Sequence, residues 1–253
     1  MTSTVLDSLP LWQLMLVGVC FIWSGFVRSG LGFGGAALTL PLLLMFENNP
    51  LLFLPAIGFQ LLFFSLLTVA TRLDNIDWAF LVKILAALAI PFVIGLIGLL
   101  NLPGNVLAGM VYAITLFYGF SYVFNYVFSS KSKLADVVFL SFGGYVSGVS
   151  LIGAPLIVAV GARYLAQAKL RDTFFVLWII MVVLKLGTFV AAEVNLQWRL
   201  ALLSFPLAGI GHFLGLKAHQ RIVGGDKKTF ERIIGGGLVA VSLIGLINLL
   251  RAY

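Results

Sequence analysis

The stretch Arg28-Ser29-Gly30-Leu31-Gly32-Phe33-Gly34-Gly35 lies in the middle of an apolar run from Leu11 to Phe46. A charge at the centre of a bilayer costs about 2.5–3.5 kcal/mol on insertion scales, so Arg28 indicates a functional site. The glycines end one helix, and a second helix is predicted from Ala36 onward. A single helix over the whole run would be about 54 Å long, which exceeds a hydrocarbon core of about 30 Å. The run therefore predicts a helical hairpin that folds back.

The composition describes a membrane protein. Of the 253 residues, 61% are hydrophobic and only 10% are charged, and several apolar runs approach or exceed the roughly 18 residues of a transmembrane helix. Since these runs are continuous and not alternating, they predict helices and not a barrel. The net charge of +7 fits a positive-inside bias and does not indicate a nucleic-acid partner. Cys20 is the single cysteine, so no disulfide and no CxxC metal site can form.

The order of apolar runs indicates two repeats, 1–128 and 129–253, each a re-entrant or broken hairpin plus three transmembrane helices. Ser29-Gly30-Leu31 matches Ser147-Gly148-Val149, and Gly35-Ala36 matches Gly153-Ala154 in the same register. Gly143-Gly144 and the stretch from Ser147 to Pro155 are expected to interrupt the second hairpin. The first repeat has hairpin 11–46 and helices 51–70, 78–100 and 105–128, and the second has hairpin 135–162 and helices 172–192, 199–217 and 230–250.

The distribution of Lys and Arg favours a re-entrant second hairpin. With that hairpin, eleven of these residues fall on one face and only Arg199 and Arg251 on the other, whereas a crossing segment gives eight against five. The positive-inside rule selects the first arrangement. Three crossings per repeat make the second repeat inverted relative to the first and put both termini outside a plasma membrane. The fold prediction is an all-α polytopic membrane protein with two inverted repeats, whose hairpin tips enter from opposite faces.

The two hairpin tips are the predicted substrate site. Each tip precedes a short helix, beginning near Ala36 and near Ala154, and helix N-termini attract anions through their backbone N–H groups. Arg28 adds a planar donor fork that suits oxyanions, and Lys185 is a second cation deep in a predicted helix. The candidate substrate-binding residues are Arg28, Ser29, Gly30, Gly32, Gly34, Gly35, Ser147, Gly148, Ser150, Gly153, Lys185 and Gln60.

Each of these residues also has a structural interpretation. The glycines can serve close helix packing, and polar residues such as Gln60 often bond between helices. Arg28 and Lys185 can pair with helix-end carbonyls. His212 is interpreted as a structural histidine, with a proton relay as the alternative, and Lys83 is expected to snorkel to the interface.

The sequence contains no sign of an enzyme. No Asp or Glu is predicted deep within a crossing, which argues against a carboxylate-based cation or proton pathway. No HExxH or GxSxG motif is present, and Gly30 to Gly35 lack the strand that a dinucleotide fingerprint requires. We therefore expect no catalytic residue, no metal and no cofactor.

Nearly the whole chain resembles the sulfite exporter TauE/SafE family of membrane anion transporters. The resemblance rests on Phe26 to Gly35 with Pro41, on the Arg72 to Trp78 loop, and on a set of second-half features. Those features are Ser147-Gly148-Val149 with Gly153, Leu170-Arg171-Asp172-Thr173, Lys185, and Pro206-Leu207-Ala208-Gly209 before Gly215. Asp74-Asn75 and Ser150-Leu151-Ile152 depart from the glycines of the family pattern.

The resemblance implies transport of small sulfur-containing anions such as sulfite, thiosulfate or sulfonates across a prokaryotic plasma membrane by alternating access. It agrees with the cation-rich site that the residues themselves predict. A carrier of small carboxylates or other anions and an anion channel are the alternatives. The expected partners are a small inorganic or organosulfur anion and the lipid bilayer, with a homo-oligomer left open.

Overall fold

A computed structural model of the protein describes residues 7, 9–31, 35–70, 72–126, 128–224 and 227–251. Within these ranges the regular structure consists of α-helices and one 3-10 turn at Leu73–Asn75, with no strand, so the all-α prediction is confirmed. The helices are α1 (Leu11–Leu31), α2 (Gly35–Leu44), α3 (Pro50–Val69), α4 (Trp78–Asn101), α5 (Gly104–Val123), α6 (Lys133–Ser150), α7 (Ala154–Tyr164), α8 (Gln167–Ala191), α9 (Trp198–Gly224) and α10 (Lys227–Arg251).

Seven helices of the described part of the chain are long and apolar enough to cross a membrane. Six of them, α3, α4, α5, α8, α9 and α10, are the predicted transmembrane helices, so the protein is a multi-pass membrane protein. The seventh is α1, whose 21 residues span about 32 Å at 1.5 Å per residue. The short helices α2 and α7, with 10 and 11 residues, reach only about half that distance.

The first broken segment is a hairpin with a long and a short arm. A Cβ on Gly35 would lie 3.1 Å from the Cβ of Arg28 and 3.1 Å from the carbonyl oxygen of Ser24. A continuing helix would carry residue 35 about 16 Å beyond residue 24, so the chain must reverse after α1. This confirms the predicted break, and Gly32 and Gly34 of the predicted site lie outside the described residues.

The second broken segment reverses in the same way. A Cβ on Gly153 would overlap the carbonyl oxygen of Gly143, and one on Gly143 would lie 2.8 Å from Ile157 Cγ1, so α6 and α7 run antiparallel. The prediction that Gly143-Gly144 interrupt the first arm is wrong, because α6 continues through both residues. Their missing side chains admit neighbours instead, since a Cβ on Gly144 would lie 3.0 Å from Pro91 Cγ.

The chain forms two compact units, each of which combines helices from both predicted repeats. The predicted repeats are defined by similarity between the two halves of the sequence and not by which helices pack together. They therefore stay a prediction. The first unit comprises the described residues of Met1–Phe53, Leu102–Val127 and Leu202–Tyr253 and contains the first hairpin. The second unit comprises those of Leu54–Asn101 and Phe128–Ala201 and contains the second hairpin.

Glycines bring the backbones together inside the first unit. A Cβ on Gly25 of α1 would overlap the carbonyl oxygen of Ala208, and one on Gly211 of α9 would overlap that of Ile22. These reciprocal contacts allow α1 and α9 to pack at backbone distance. An apolar core behind them contains Val27, Leu38, Ile234 and Leu238.

The second unit repeats this device between α4 and α6. A Cβ on Gly95 would overlap the carbonyl oxygen of Tyr145, and one on Gly148 would overlap that of Phe92. A larger apolar core joins α4, α7 and α8. Its buried members are Val69, Ile76, Leu81, Ile84, Leu88, Phe92, Leu96, Ile157, Leu165, Phe174, Phe175, Val176, Leu177 and Met181.

Several helix ends differ from the predicted bounds. Helix α5 ends at Val123, five residues early, because Asn125 adopts a left-handed φ of 50°, a conformation that terminates helices. Helix α9 extends seven residues further than predicted, to Gly224, and α8 begins five residues earlier, at Gln167. Both extensions are polar, and a hydropathy argument cannot distinguish a polar helical turn from a loop.

Candidate functional site

The first tip carries a buried cation and a buried hydroxyl. Arg28, in the last turn of α1, is 7% exposed, and Ser29 beside it is 6% exposed. Ser29 Oγ shares a hydrogen bond with Nδ1 of His212 in α9. Because Gly25 and Gly211 allow α1 and α9 to approach, two helices fix this pair in place. Sequence reasoning treated His212 as structural and missed its contact with the tip.

The short arm begins beside Arg28. Gly35 is buried and is the first residue of α2, so the first backbone N–H groups of α2 lie next to the stem of Arg28. The Cβ of Arg28 thus lies beside a helix N-terminus, and a guanidinium together with a helix N-terminus is a combination that suits an anion. Thr39 follows four residues later on the same face of α2. Its hydroxyl is fully buried and has no hydrogen-bond partner in the described part of the chain.

The cation of the second tip comes from a different helix. Lys185 of α8 is 1% exposed, and its Nζ donates to the carbonyl oxygen of Gly148 in the last turn of α6. This carbonyl is one of the helix-end acceptors that lack an intrahelical partner. The contact expected under the structural interpretation of Lys185, a hydrogen bond to a helix-end carbonyl, is therefore formed. An ammonium has three donors, and this bond uses one of them.

Ser147 and Ser150, both predicted to bind substrate, differ in how their hydroxyls are used. Ser147 Oγ is buried, has no hydrogen-bond partner within the described residues, and lies where a Cβ on Gly153 would clash with it. Ser147 thus faces the start of α7, where Pro155 occupies the first turn. Ser150 Oγ instead donates to the carbonyl oxygen of Val146 at 3.0 Å. Its proton is engaged in this state, so Ser147 is the better donor for an anion.

The chain turns between the arms of the second hairpin at a residue in a left-handed conformation. Leu151 has a φ of 61°, and its N–H bonds to the carbonyl oxygen of Ser147 at 3.1 Å. Non-glycine residues seldom adopt this conformation, and it costs a leucine roughly 1–2 kcal/mol. Backbone strain of this kind is concentrated at functional sites.

The remaining candidates are placed as follows. Gly30 lies in the last turn of α1, and Gln60 is fully buried in the middle of α3. Three predicted residues, Arg28, Ser29 and Gly35, come together in the first unit. Four others, Ser147, Gly148, Gly153 and Lys185, come together in the second unit, which also contains Ser150 and Gln60.

A polar network joins the two arms of the second hairpin at its base, which is the end opposite the tip. Asp136 at the start of α6 accepts hydrogen bonds from Ser130, from Tyr164 and from Arg163, the last an ion pair of 2.9 Å. Burial of Asp136 acts to raise its pKa, but these hydrogen bonds and the Arg163 charge outweigh it and hold the pKa below its ordinary value. The same contact with Asp136 raises the pKa of Tyr164. This network connects the first turn of α6 to the last turn of α7.

A cavity of about 460 Å³ lies beside this network, with Asp77, Phe80, Lys83, Asp136 and Tyr164 among its lining residues. Lys83 is exposed there, and its snorkelling to the membrane interface stays a prediction. The lining residues that belong to the second hairpin lie near the start of α6 and near the end of α7. The cavity is therefore at the base of this hairpin. It is therefore a feature separate from the tip.

Two of the motifs that carry the family resemblance contact each other. Asn75 Nδ2 donates to Asp172 Oδ2 at 3.2 Å, and the N–H of Asp77 donates to Thr173 Oγ1 at 3.0 Å. Asp77 Oδ1 in turn accepts a hydrogen bond from the N–H of Phe80 and caps α4. Asn75 thus fastens the loop to α8. Asp172 is 1% exposed and lies in the second turn of α8, near the helix end and not deep in the crossing.

Apolar helices of spanning length and two helical hairpins with buried cations at their tips characterise this chain as a multi-pass membrane protein. The family model of the sulfite exporter TauE/SafE matches residues 16–244, and the chain belongs to that family. The family consists of membrane transporters of anions such as sulfite, not of enzymes. No curated protein and no solved structure matches the chain.

Proposed function

We propose that this protein is a secondary carrier that moves small sulfur-containing anions, of the sulfite, thiosulfate and sulfonate class, across the plasma membrane by alternating access. The observation that carries the proposal is a buried cation at each hairpin tip. Arg28 lies beside the first residue of α2, and Lys185 bonds to Gly148 at the end of α6, one residue after Ser147, which faces the start of α7.

The chemistry of the tips supports an oxyanion as the ligand. A guanidinium offers donors in a planar fork that matches two oxygens of one anion. The N-termini of α2 and α7 add backbone N–H groups, each contributing about 0.3–1 kcal/mol and up to ~2 when partly buried. The Ser147 and Thr39 hydroxyls, buried and without partners among the described residues, are neutral donors that an anion can satisfy.

Flux through proteoliposomes tests the transport mechanism. We expect uptake of labelled thiosulfate to saturate with concentration and to accelerate when an accepted anion is present on the opposite side. Flux that rises linearly without saturation would indicate a channel. A binding screen over sulfite, thiosulfate, methanesulfonate and short carboxylates identifies the substrate class, and preference for the carboxylates would replace the sulfur anions in the proposal.

The proposed topology has three crossings per repeat, inverted repeats and both termini outside. Cys20, the single cysteine, is buried, so a variant with Cys20→Ala gives a background free of thiols. Single cysteines at position 47 and at position 131 should then react with an impermeant reagent from opposite sides. Labelling of both from one side would refute this topology. A cysteine at position 9 decides whether α1 crosses or re-enters, since a re-entrant first hairpin puts positions 9 and 47 on the same side.

A further inference from the structure

His212 is held directly against the first tip. Its Nδ1 shares a hydrogen bond with Ser29 Oγ, and its backbone N would lie 2.9 Å from a Cβ on Gly25. Ser29 follows Arg28 in the last turn of α1. Because the pair joins two packed helices, its geometry depends on the α1–α9 contact and not on a loop. Histidine is the side chain whose ordinary charge change falls between about pH 5 and 8.

The protonation state of His212 determines which way the Ser29 hydroxyl points. In the neutral ring protonated at Nε2, Nδ1 is an acceptor, and the Ser29 hydroxyl donates its proton to it. In the imidazolium both ring nitrogens are donors, so Nδ1–H donates to Ser29 Oγ. The hydroxyl proton of Ser29 is then released from the histidine and can be donated to an anion at the tip.

The charged residues of α1 and α9 favour a link between protonation of His212 and binding of an anion. Helix α1 packs against α9 at this level, and its charged side chain is Arg28. On α9 the charged residues nearest to His212 in sequence are Arg199 and Lys217, both cationic, while α2 has no charged residue. The charged residues of α10 lie within its first six positions and at its last residue. Arg28 is next to Ser29 in the chain, and a cation close to a histidine opposes its protonation whereas a bound anion offsets that cation, so anion and proton each favour the binding of the other.

We propose that His212 is the proton-coupling residue of the first tip, which positions the Ser29 hydroxyl for the anion. This inference rests on the proposed function as an anion carrier. One proton from solution binds the imidazole ring as the anion binds, and the same proton returns to solution when the anion leaves. The ring N–H bond that forms on protonation and breaks on release is the one covalent bond that changes, and the anion itself is unaltered. The carrier thus cotransports one proton with each anion through this tip.

Binding measured against pH tests the coupling, with thiosulfate and methanesulfonate as probes because both stay ionised from about pH 5 to 8. In the wild type we expect affinity to fall by up to about tenfold per pH unit above the pKa of the ring, the limit for one linked proton. His212→Asn retains an amide that can bond to Ser29 but does not titrate, so its affinity should be independent of pH. His219→Asn, which changes the other histidine, is the matched control and should keep the wild-type slope.

Proton movement in proteoliposomes gives a second readout. Thiosulfate uptake by the wild type should move protons in the same direction, and uptake by His212→Asn should continue without them. A wild-type affinity that does not change with pH, or an unchanged slope in His212→Asn, would overturn the coupling and leave the carrier intact. Failure of the wild type to bind any of the screened anions at any pH would overturn the proposed function itself, and the coupling with it.

Discussion

The two hairpins have similar arms but obtain their cations from different places. The first has arms of 21 and 10 residues and carries Arg28 on its own long arm. The second has arms of 18 and 11 residues and uses Lys185 from α8, whose ammonium bonds to the carbonyl oxygen of Gly148. Lys185 therefore holds the tip together as well as providing charge. We expect Arg28 to contribute more to anion affinity and Lys185 more to the order of its tip.

The largest expected effect of this difference between the hairpins concerns their two buried cations. Arg28→Ala should weaken thiosulfate binding by roughly 30-fold or more, because truncating one side of a buried charge pair costs about 2 kcal/mol or more. Lys185→Met should weaken binding less and should speed amide hydrogen exchange in the last turn of α6, where the Gly148 carbonyl loses its donor. Titration calorimetry and hydrogen exchange measure the two effects on the same samples.

Arg28→Lys is the control for this pair of variants. It keeps the charge but loses the planar fork, so its affinity should fall between those of the wild type and Arg28→Ala. An equal loss of affinity in Arg28→Ala and Lys185→Met, with unchanged exchange at the α6 tip in both, would show that the two cations have the same role.

The glycine contacts test whether both hairpins depend equally on close packing. Gly211→Ala in the first unit and Gly148→Ala in the second each place a methyl group against a carbonyl oxygen. Each should lower the free energy of unfolding by about 2 kcal/mol, the usual range for overpacking being about 1–3 kcal/mol. Thermal unfolding in detergent measures the loss.

Gly187 is the matched control for these substitutions, because a Cβ there would meet nothing within 4 Å. Gly187→Ala should be neutral or stabilising by up to about 1 kcal/mol through helix propensity. Destabilisation by Gly148→Ala alone would mean that the α1–α9 contact can relax whereas the α4–α6 contact cannot.

Acid should affect the base of the second hairpin. The folded pKa of Asp136 lies below its ordinary value near 3.8, so its contribution to stability is present above about pH 4 and is lost as the pH falls through the folded pKa. Asp136→Asn should remove that dependence and cost on the order of 1–2 kcal/mol at neutral pH, because charged hydrogen bonds to Ser130, Tyr164 and Arg163 are weakened. Hydrogen exchange in the first turn of α6 and the last turn of α7 localises the effect.

Asp74→Asn, at an exposed aspartate, is the control and should change neither the exchange rates nor their dependence on pH. If Asp136→Asn left both hairpin ends as protected as in the wild type at neutral pH, the network would not hold the base together.

The sequence predicted the helices and the tips because hydropathy and glycine content are local signals. It could not predict that α1 packs on α9 and α4 on α6, since such pairing depends on contacts between residues that are fifty or more positions apart in the chain. The order Asn75-Ile76-Asp77-Trp78 before α4 recurs as Asn195-Leu196-Gln197-Trp198 before α9. This match supports the proposed repeats, because in each unit the long arm of one hairpin packs on the helix that follows this motif.

Two features of the tips depend on side-chain geometry and have no sequence signature. His212 is 183 positions from Ser29, and its ring reaches the hydroxyl only because two glycines set the helix distance. The ammonium of Lys185 bonds to a carbonyl at the end of α6, an acceptor that every helix offers. Sequence reasoning found both residues and could not decide between their structural and functional roles.

The smallest expected effect concerns the difference in glycine content between the tips. The first tip has glycine at positions 30, 32, 34 and 35, whereas the second makes its turn with Leu151 at a φ of 61°. Leu151→Gly relieves roughly 1–2 kcal/mol of backbone strain but gives the unfolded chain more freedom, which offsets about 0.4–1 kcal/mol. We expect stabilisation of less than about 1 kcal/mol in thermal unfolding, with anion affinity unchanged or slightly lower because the tip is less constrained. Destabilisation larger than 1 kcal/mol would mean that the half-buried Leu151 side chain contributes more through packing than its backbone costs, and that the second tip depends on a leucine where the first depends on glycine.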